Sequence, residues 1–333
     1  MSVSKHPIRP KKLQNLYAEI AKAITSSLDF STILEKIMEQ IYLFFQPQNW
    51  SLLRLDHDKG ELYFVICEGI CSDKIKNLRL KLGEGVAGKV AETGKHFIVL
   101  NAENNSQFNN KIDKISGFTT TSVVAVPIIF QQRILGVIEL INTIQNNDFS
   151  DKELEILKTI ADFSAIAINN ADIHEQIIFL ATHDSLTQVY NRAFLDRLNT
   201  RVLDDSFSKD NYAIAILVDV DNFKIINDKF GHAAGDIVLI KMAELLKIIC
   251  RKSDYVFRIG GDEFLVIISN INSNDLELVK DEIRRKLSSF LREEKLDFSY
   301  SFGIGSGKTK ELSKVIQLAD AKMYKVKEGN KIR

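Results

Sequence analysis

Cysteine is scarce. Cys67, Cys71 and Cys250 are too few and too scattered for a disulfide framework, and no zinc-like spacing of Cys or His surrounds them. They read as buried or idle thiols. Excess charge is missing as well: 44 Lys+Arg balance 44 Asp+Glu, for a formal net charge of zero. A chain without a basic surplus loses the electrostatic footprint of a nucleic-acid binder, and no nucleic-acid partner is expected. No run of about 18 apolar residues occurs, so no membrane span is expected. The basic start "MSVSKHPIRPKK" is followed by no apolar leader core. Repeats and low-complexity tracts are absent. These absences point to a reducing cytoplasm. What is present is an ordinary apolar fraction, 45% of 333 residues. At roughly 100–200 residues per domain, that suffices for two cores.

The pattern changes along the chain. "KKLQNLYAEIAKAITS" (11–26) has Leu13, Leu16, Ile20, Ala23 and Ile24 at helical spacing. A second helix begins near "FSTILEKIMEQIYLFF", where Thr32 and Glu35 have capping-box spacing. Strand-like runs follow, "SLLRLD", "LYFVIC", "HFIVL", "SVVAVPIIF" and "ILGVIELIN", interrupted by helical "GVAGKVAETGK". This predicts an antiparallel sheet with helices packed on it. Residues 151–180 read as one long helix. Leu157, Ala161, Ser164, Ile168, Ala171 and Ile178 recur at three- and four-residue steps, a coiled-coil stripe that Glu175 interrupts. The stripe suggests a homodimer; the alternative is a helix packed on its own domain. From "THDSLTQVYNR" onward, helices and strands alternate as in an α/β domain with a mixed sheet. The expected boundaries are an N-terminal helix over 1–27, a first domain over 28–150, a linker helix over 151–180 and a second domain over 181–333.

Acids stand out in the second domain. The apolar strand 212–218 runs into "DVD", which puts Asp219 and Asp221 at its C-terminal end. Open α/β sheets place their ligands there. A solvated strand end is the plainer reading of that feature alone. In "FRIGGDEFLVII" (257–268), Gly260 and Gly261 suit a tight turn with positive φ. Asp262 then opens the return strand, and Glu263 points to its opposite face. With the hairpin beside strand 212–218, Asp262 and Asp219 would meet. Paired carboxylates plus phosphate oxygens are what Mg²⁺ takes, and such a site serves phosphoryl transfer.

"RIGGDEF", together with "DSLTQVYNR" (184–192), "DVDNFKIINDKFGHAAGD" (219–236) and "ADAKMYKVKEGNK" (319–331), resembles the GGDEF family, the diguanylate cyclases. The resemblance covers about 178–333 and implies a nucleotidyl-cyclase palm that joins two GTP into cyclic di-GMP. It implies that Asp219, Asp262 and the Val220 carbonyl ligate Mg²⁺, or Mn²⁺ in its place. Glu263 would assist as ligand or as base for the 3′-hydroxyl. Asn227 and Asp236 would bond guanine, His232 would order its helix start, and Lys224 with the N–H groups near Asn222 and Phe223 would touch phosphate. Lys327 would bind the terminal phosphates, with Gly260 and Gly261 letting the triphosphate approach. Two departures stand out. Asn222 replaces the usual aromatic or His. The C-terminal pattern reads "KEGNKI", which places Lys331 at an Arg position and Asn330 at a Gly position, where Asn tolerates left-handed backbone. Lys331 would meet phosphate without bidentate geometry. Arg251 and Asp254 in "RKSD" resemble an RxxD product-inhibition site, the bland alternative being a surface salt bridge.

"GEGVAGKVAETGK", "SVVAVPI", "RILGVIELIN" and "FSDKELEILKTIADFSAIAI" look like a GAF domain, a class that binds small ligands between sheet and helices. "NTIQNNDFSDKEL" partly matches a cyclic-nucleotide GAF motif through Asn142 and Phe149, so cAMP or cGMP is the expected effector. The segment 101–113 is expected to form part of a pocket lid. His96 reads as a strand-end residue rather than a haem ligand. The expectation is a homodimeric GAF–GGDEF diguanylate cyclase. The rival is a catalytically silent module that binds GTP or cyclic di-GMP.

Overall fold

The structure, a computed structural model, describes residues 10–26, 30–69, 72–103, 105, 108, 111–143, 149–201, 211–293 and 298–331. Its internal contacts divide the chain between Glu175 and Gln176 into two compact units.

The first unit opens with α1 (Pro10–Ser26) and α2 (Phe30–Phe45), and continues through β1 (Asn49–Asp56), β2 (Glu61–Gly69), the short α3 (Ser72–Ile75) and β3 (Arg79–Lys81). Then come α4 (Gly85–Thr93), β4 (Phe97–Val99), α5 (Lys111–Ser116), β5 (Val123–Phe130), β6 (Arg133–Ile141) and the start of α6 (Asp151–Thr182). The six strands order as β3-β2-β1-β6-β5-β4, every pair antiparallel, as the alternating runs predict. Alternation along β6 puts Ile138 and Leu140 into the core shared with α1, α2 and α6. It turns Val137 toward the core that α4 covers. Leu16, Ile20 and Ala23 of α1 are buried as their spacing predicts. Thr32 lies inside the first turn of α2 rather than ahead of it, so the expected capping box is displaced. A reciprocal box instead starts α6: Ser150 Oγ and N–H both donate to Glu153 Oε2 (2.6 and 2.8 Å), and the Glu153 N–H returns to Ser150 Oγ at 3.3 Å.

The helix α6 corrects the expected stripe. Leu157, Ala161, Ser164 and Ile168 are buried, and three of them belong to the first unit's core. They are spent on their own domain. A different face stays open: Ile166, Ile173, Ile177 and Leu180 are all exposed, and so is Asn170. Positions 166, 170, 173, 177 and 180 keep steps of four and three.

The second unit holds β7 (Tyr190–Asn191), α7 (Arg192–Arg201), β8 (Tyr212–Val220), α8 (Phe223–Phe230), α9 (His232–Ile249), β9 (Tyr255–Arg258), β10 (Glu263–Ile271), α10 (Leu276–Glu293), β11 (Tyr300–Lys308) and α11 (Leu312–Lys331). Its sheet orders as β11-β8-β10-β9-β7. The β7–β9 pair is parallel and the rest antiparallel, so the mixed sheet is as expected. The helix α8 is an element that the sequence pattern did not reveal. β8 lies between two partners, and all its residues after Tyr212 are buried. On β11, a Cβ at Gly303 would stand 2.1 Å from the Ala319 carbonyl, and one at Gly305 would stand 2.1 Å from that of Val315. Alternate glycines thus let α11 lie backbone against strand, and α11 carries Lys327 to the site below.

Candidate active site

The antiparallel register of β8 and β10 puts Glu263 directly opposite Asp219. One step further, the Val220 N–H donates to the Asp262 carbonyl at 3.2 Å. Asp262 itself lies in the connecting loop, one residue before the return strand begins. The glycines work differently from the expectation. Neither Gly260 nor Gly261 takes a positive φ. A Cβ at Gly260 would come within 2.7 Å of Glu263 Oε2, whereas one at Gly261 would meet nothing within 4 Å. The first glycine makes room for the Glu263 carboxylate. The second leaves bare backbone open to a ligand.

Asp219 is 3% exposed. Lys327 Nζ lies 2.7 Å from each of its oxygens. Burial pushes the Asp219 carboxyl up; Lys327 pulls it back, and the charges of Asp262 and Asp221 add to the rise. Burial raises Glu263 as well, reinforced by Asp219 and Asp262. Lys327 is partly desolvated, which works against its charge, yet the hydrogen bond and charge of Asp219 hold its pKa above the ordinary value. Behind this group, Ser301 Oγ donates to Asp221 Oδ1 at 2.7 Å. The result is a patch of acids that needs a positive charge and draws it from Lys327.

Such a patch fits a divalent cation. Among the described residues no three His, Cys, Asp or Glu side chains gather as a metal cage. Mg²⁺ does not require one: it is commonly held by one or two carboxylates, with backbone, water and phosphate oxygens completing its shell. Asp219 and Asp262 with the Val220 carbonyl offer that incomplete set of hard oxygens.

The chain leaving β8 supplies the remaining positions. Asn222 sits in left-handed backbone (φ 56°), which suits Asn, and its carbonyl accepts from the N–H groups of Ile225 and Ile226 to start α8. Phe223 packs on the core, and Lys224 is exposed. Asn227 Oδ1 is buried without a hydrogen-bond partner, an acceptor left over by the fold. His232 and Asp236 lie exposed on the first turns of α9. The Lys331 side chain lies outside the described residues. Asn330 does not terminate α11 in left-handed geometry; the helix runs through it to Lys331.

Two site residues carry no role in the sequence reading, although both stand inside quoted motifs. Arg258 reaches the Gly261 carbonyl from Nε (3.2 Å) and from one terminal nitrogen (2.8 Å). Its other terminal nitrogen pairs with both Asp184 oxygens at 3.0 and 3.2 Å. Partial burial opposes ionisation of Asp184, but Thr187 and Arg258 together hold its pKa below the ordinary value. Asp184 follows the end of α6. The last turn of that helix is clamped by Phe179 stacked on His183 (4.3 Å) and His183 packed on Tyr190 (4.5 Å). A physical chain therefore leads from the helix end through Asp184 and Arg258 to the glycine loop.

Arg251 and Asp254 line a separate cleft of about 470 Å³, with Asn270, Asp275, Glu282 and Lys286. The bland salt bridge is not what forms there. Asp254 Oδ2 accepts from the Arg251 backbone N–H at 2.8 Å, and the guanidinium makes no ion pair among the described residues. Cys250 beside them is an inert thiol, pushed up to about 12 by burial and by Asp254. Cys71 lies outside the described residues.

In the first unit, the residues of the partial cyclic-nucleotide motif serve the framework. Asn142 Oδ1 accepts from the N–H groups of Thr121 and Ser122, and its Nδ2 donates to Gln48 Oε1 and the Thr119 carbonyl. Phe149 stacks on Phe45, and Glu153 belongs to the capping box. None of the three lines the cavity of that unit. His96 directly precedes β4, the strand-end position expected for it.

Fold and site together define a class: a six-stranded antiparallel domain joined by one helix to a palm-like sheet with acids where β8 and β10 meet. Residues 181–333 match the family model described as "Diguanylate cyclase, GGDEF domain", and residues 29–168 match that of the GAF domain. The chain therefore carries a GAF domain followed by a GGDEF domain. Diguanylate cyclase A of Treponema denticola is 30% identical over 234 residues, 68% of this chain and 62% of that protein. The probable diguanylate cyclase DgcF of Escherichia coli K12 is 32% identical over 189 residues, 54% of this chain and 58% of that protein. The coiled coil and GGDEF domain of DgcB from Caulobacter crescentus, solved in complex with c-di-GMP, is 26% identical and covers 53% of this chain and 95% of that one, with a TM-score of 0.43. The chain spans less than two thirds of the length of these curated relatives. Among the described residues, no helix is long and apolar enough to cross a membrane.

Proposed function

We propose that the chain is a diguanylate cyclase that condenses two GTP into cyclic di-GMP and releases two pyrophosphates. The observation that carries this reading is the register that sets Glu263 of the GGDEF turn opposite the buried, lysine-neutralised Asp219. Asp219, Asp262 and the Val220 carbonyl would hold Mg²⁺ or Mn²⁺. The bound cation would supply charge for the phosphates and a more acidic 3′-hydroxyl. Glu263, its pKa raised by burial and by neighbouring acids, is suited to accept the 3′-hydroxyl proton. Lys327 would pass from Asp219 to the terminal phosphates, with Lys331 and the N–H groups near Asn222 and Phe223 assisting. The orphaned Asn227 oxygen and Asp236 would accept from guanine N–H groups, a pattern that adenine does not present.

One site holds one GTP, so two sites must face each other across a two-fold axis. The open face of α6, Ile166, Asn170, Ile173, Ile177 and Leu180, supports a parallel coiled-coil homodimer. Asn170, exposed in the single chain, would be covered in such a dimer and would fix its register. The cleft at Arg251 and Asp254 would bind product and restrain turnover. A small effector in the GAF domain would set the activity. Cyclic AMP and cyclic GMP were expected from a motif whose residues are taken up by framework contacts, so that motif no longer favours them.

Turnover of GTP with Mg²⁺, read as cyclic di-GMP by mass spectrometry, tests the reading. Product is expected from the parent protein and not from Asp262→Ala. A parent protein that binds GTP yet makes no product would be the silent binding module instead.

A further inference from the structure

A cavity of about 70 Å³ lies between the sheet and the helices α4 and α5 of the GAF domain. Its mouth joins a groove of about 670 Å³, with Glu84, Gly85, Phe108, Asp113 and Thr120 common to both. Ile75, Leu80, Val86, Val123 and Ile141 give the chamber apolar walls. Its ionisable lining among the described residues is Glu84, Lys111, Asp113 and Glu139, three carboxylates against one lysine. The groove adds Lys89 and Glu103 and stays acidic.

The partners of these groups separate them. Lys111 pairs with Glu84 at 2.7 Å. Asp113 accepts from the Thr120 N–H and hydroxyl at 2.8 and 2.7 Å. Glu139 differs. It is 7% exposed, on β6, opposite Ser51 in register. Burial pushes it up to about 7, held back by the Ala87 N–H and by the Ser51 hydroxyl, which itself makes no hydrogen bond of full geometry. No Lys or Arg is among its partners. An ionised carboxylate has about four acceptor positions, and one N–H leaves most of them unused. Burying such a group without a positive partner is costly, so a ligand that brings one is favoured. The apolar walls suit an organic body better than a hydrated metal ion.

We propose that this cavity takes the ammonium or amidinium head of a small organic cation against Glu139, with the apolar body running along the chamber walls toward the adjoining groove. The proposal rests on the GAF domain being an effector site, but not on the reaction of the second domain. It also counts against a phosphodiester anion, which would enter an acidic groove.

Calorimetric titration of the full chain with butylammonium and benzamidinium, each against its shape-matched carboxylate, pentanoate and benzoate, tests it. Cyclic AMP and cyclic GMP run beside them. The expected result is binding of a cation at least about tenfold tighter than its carboxylate, the scale of one charged hydrogen bond. That preference should disappear in Glu139→Gln, which retains an acceptor for the Ala87 N–H. Should that variant fail to fold by circular dichroism, Ile112→Trp fills the chamber and should abolish cation binding without touching the carboxylate. Equal cation affinity in Glu139→Gln, binding of carboxylates or cyclic nucleotides alone, or no binding by any probe would each overturn the proposal. GTP turnover of the same preparation without additive is measured separately. Its failure would remove the cyclase reading and leave the binding result intact.

Discussion

Asp219 and Glu139 are both carboxylates on inner strands, 3% and 7% exposed, and burial raises the pKa of each. Their neighbours differ. Asp219 has Asp221, Asp262 and Glu263 near it and a lysine on both oxygens. Glu139 has one backbone N–H, a hydroxyl and apolar walls. Desolvation imposes a similar kind of cost on both, and the surroundings decide what can offset it. Where acids cluster around a movable ammonium, one cation can be exchanged for another, and that suits metal-assisted chemistry. Where a carboxylate without a cationic partner faces apolar walls, a shaped organic donor is the better complement.

The largest effect that would sharpen this contrast is on turnover. Glu263→Gln removes the candidate base and should lower the rate of cyclic di-GMP formation by on the order of 10²–10⁴. Near-parent turnover would remove Glu263 from the reaction. The second effect is on stability. The folded pKa of Glu139 lies above its ordinary value of 4.5, at about 7, so the folded protein holds more protons between those limits. Stability from this group is complete below about pH 4.5 and lost as pH rises through about 7, by at most about 3 kcal/mol. Glu139→Gln should flatten that part of the melting profile between pH 5 and 7.5. An unchanged slope would place the titration elsewhere.

Arg258→Lys addresses the link between helix end and glycine loop. A lysine cannot bond Asp184 and Gly261 together as the guanidinium fork does. A loss of about 1–3 kcal/mol is expected in denaturant unfolding, together with a higher KM for GTP. A variant with parent stability and KM would show the link to be idle. The smallest effect is at the helix start: Ser150→Ala should cost about 1 kcal/mol through the lost cap of α6, read as a lower melting temperature.

Much of the second domain was legible because its signals are local. A continuous apolar strand ending in acids predicts a buried β8 and its neighbours. The Arg258–Asp184 pair was not legible, because it joins residues 74 apart and only folding brings them together. Glu139 stands inside "RILGVIELIN", which reads as a plain apolar strand; the lone acid in it was the available signal. The first four members of the α6 stripe, Leu157 to Ile168, were misassigned for a different reason, whereas Ile178 is exposed. A heptad seam and a core-facing helix share nearly the same spacing, and only packing shows which face the domain has already used. The capping boxes make the same point. Thr32 and Glu35 have the right spacing inside a helix, whereas Ser150 and Glu153 have it at a helix start.

The helix α6 runs unbroken for 32 residues. Its first half is gripped by the GAF core, and its last turn leads into Asp184. At 3.6 residues per turn, adding one residue between those grips would turn the far end by about 100°, while adding seven would nearly restore its bearing. The helix therefore has a phase as well as a length. A change in the length of this helix changes the bearing of its far end, and a change of seven residues changes it least.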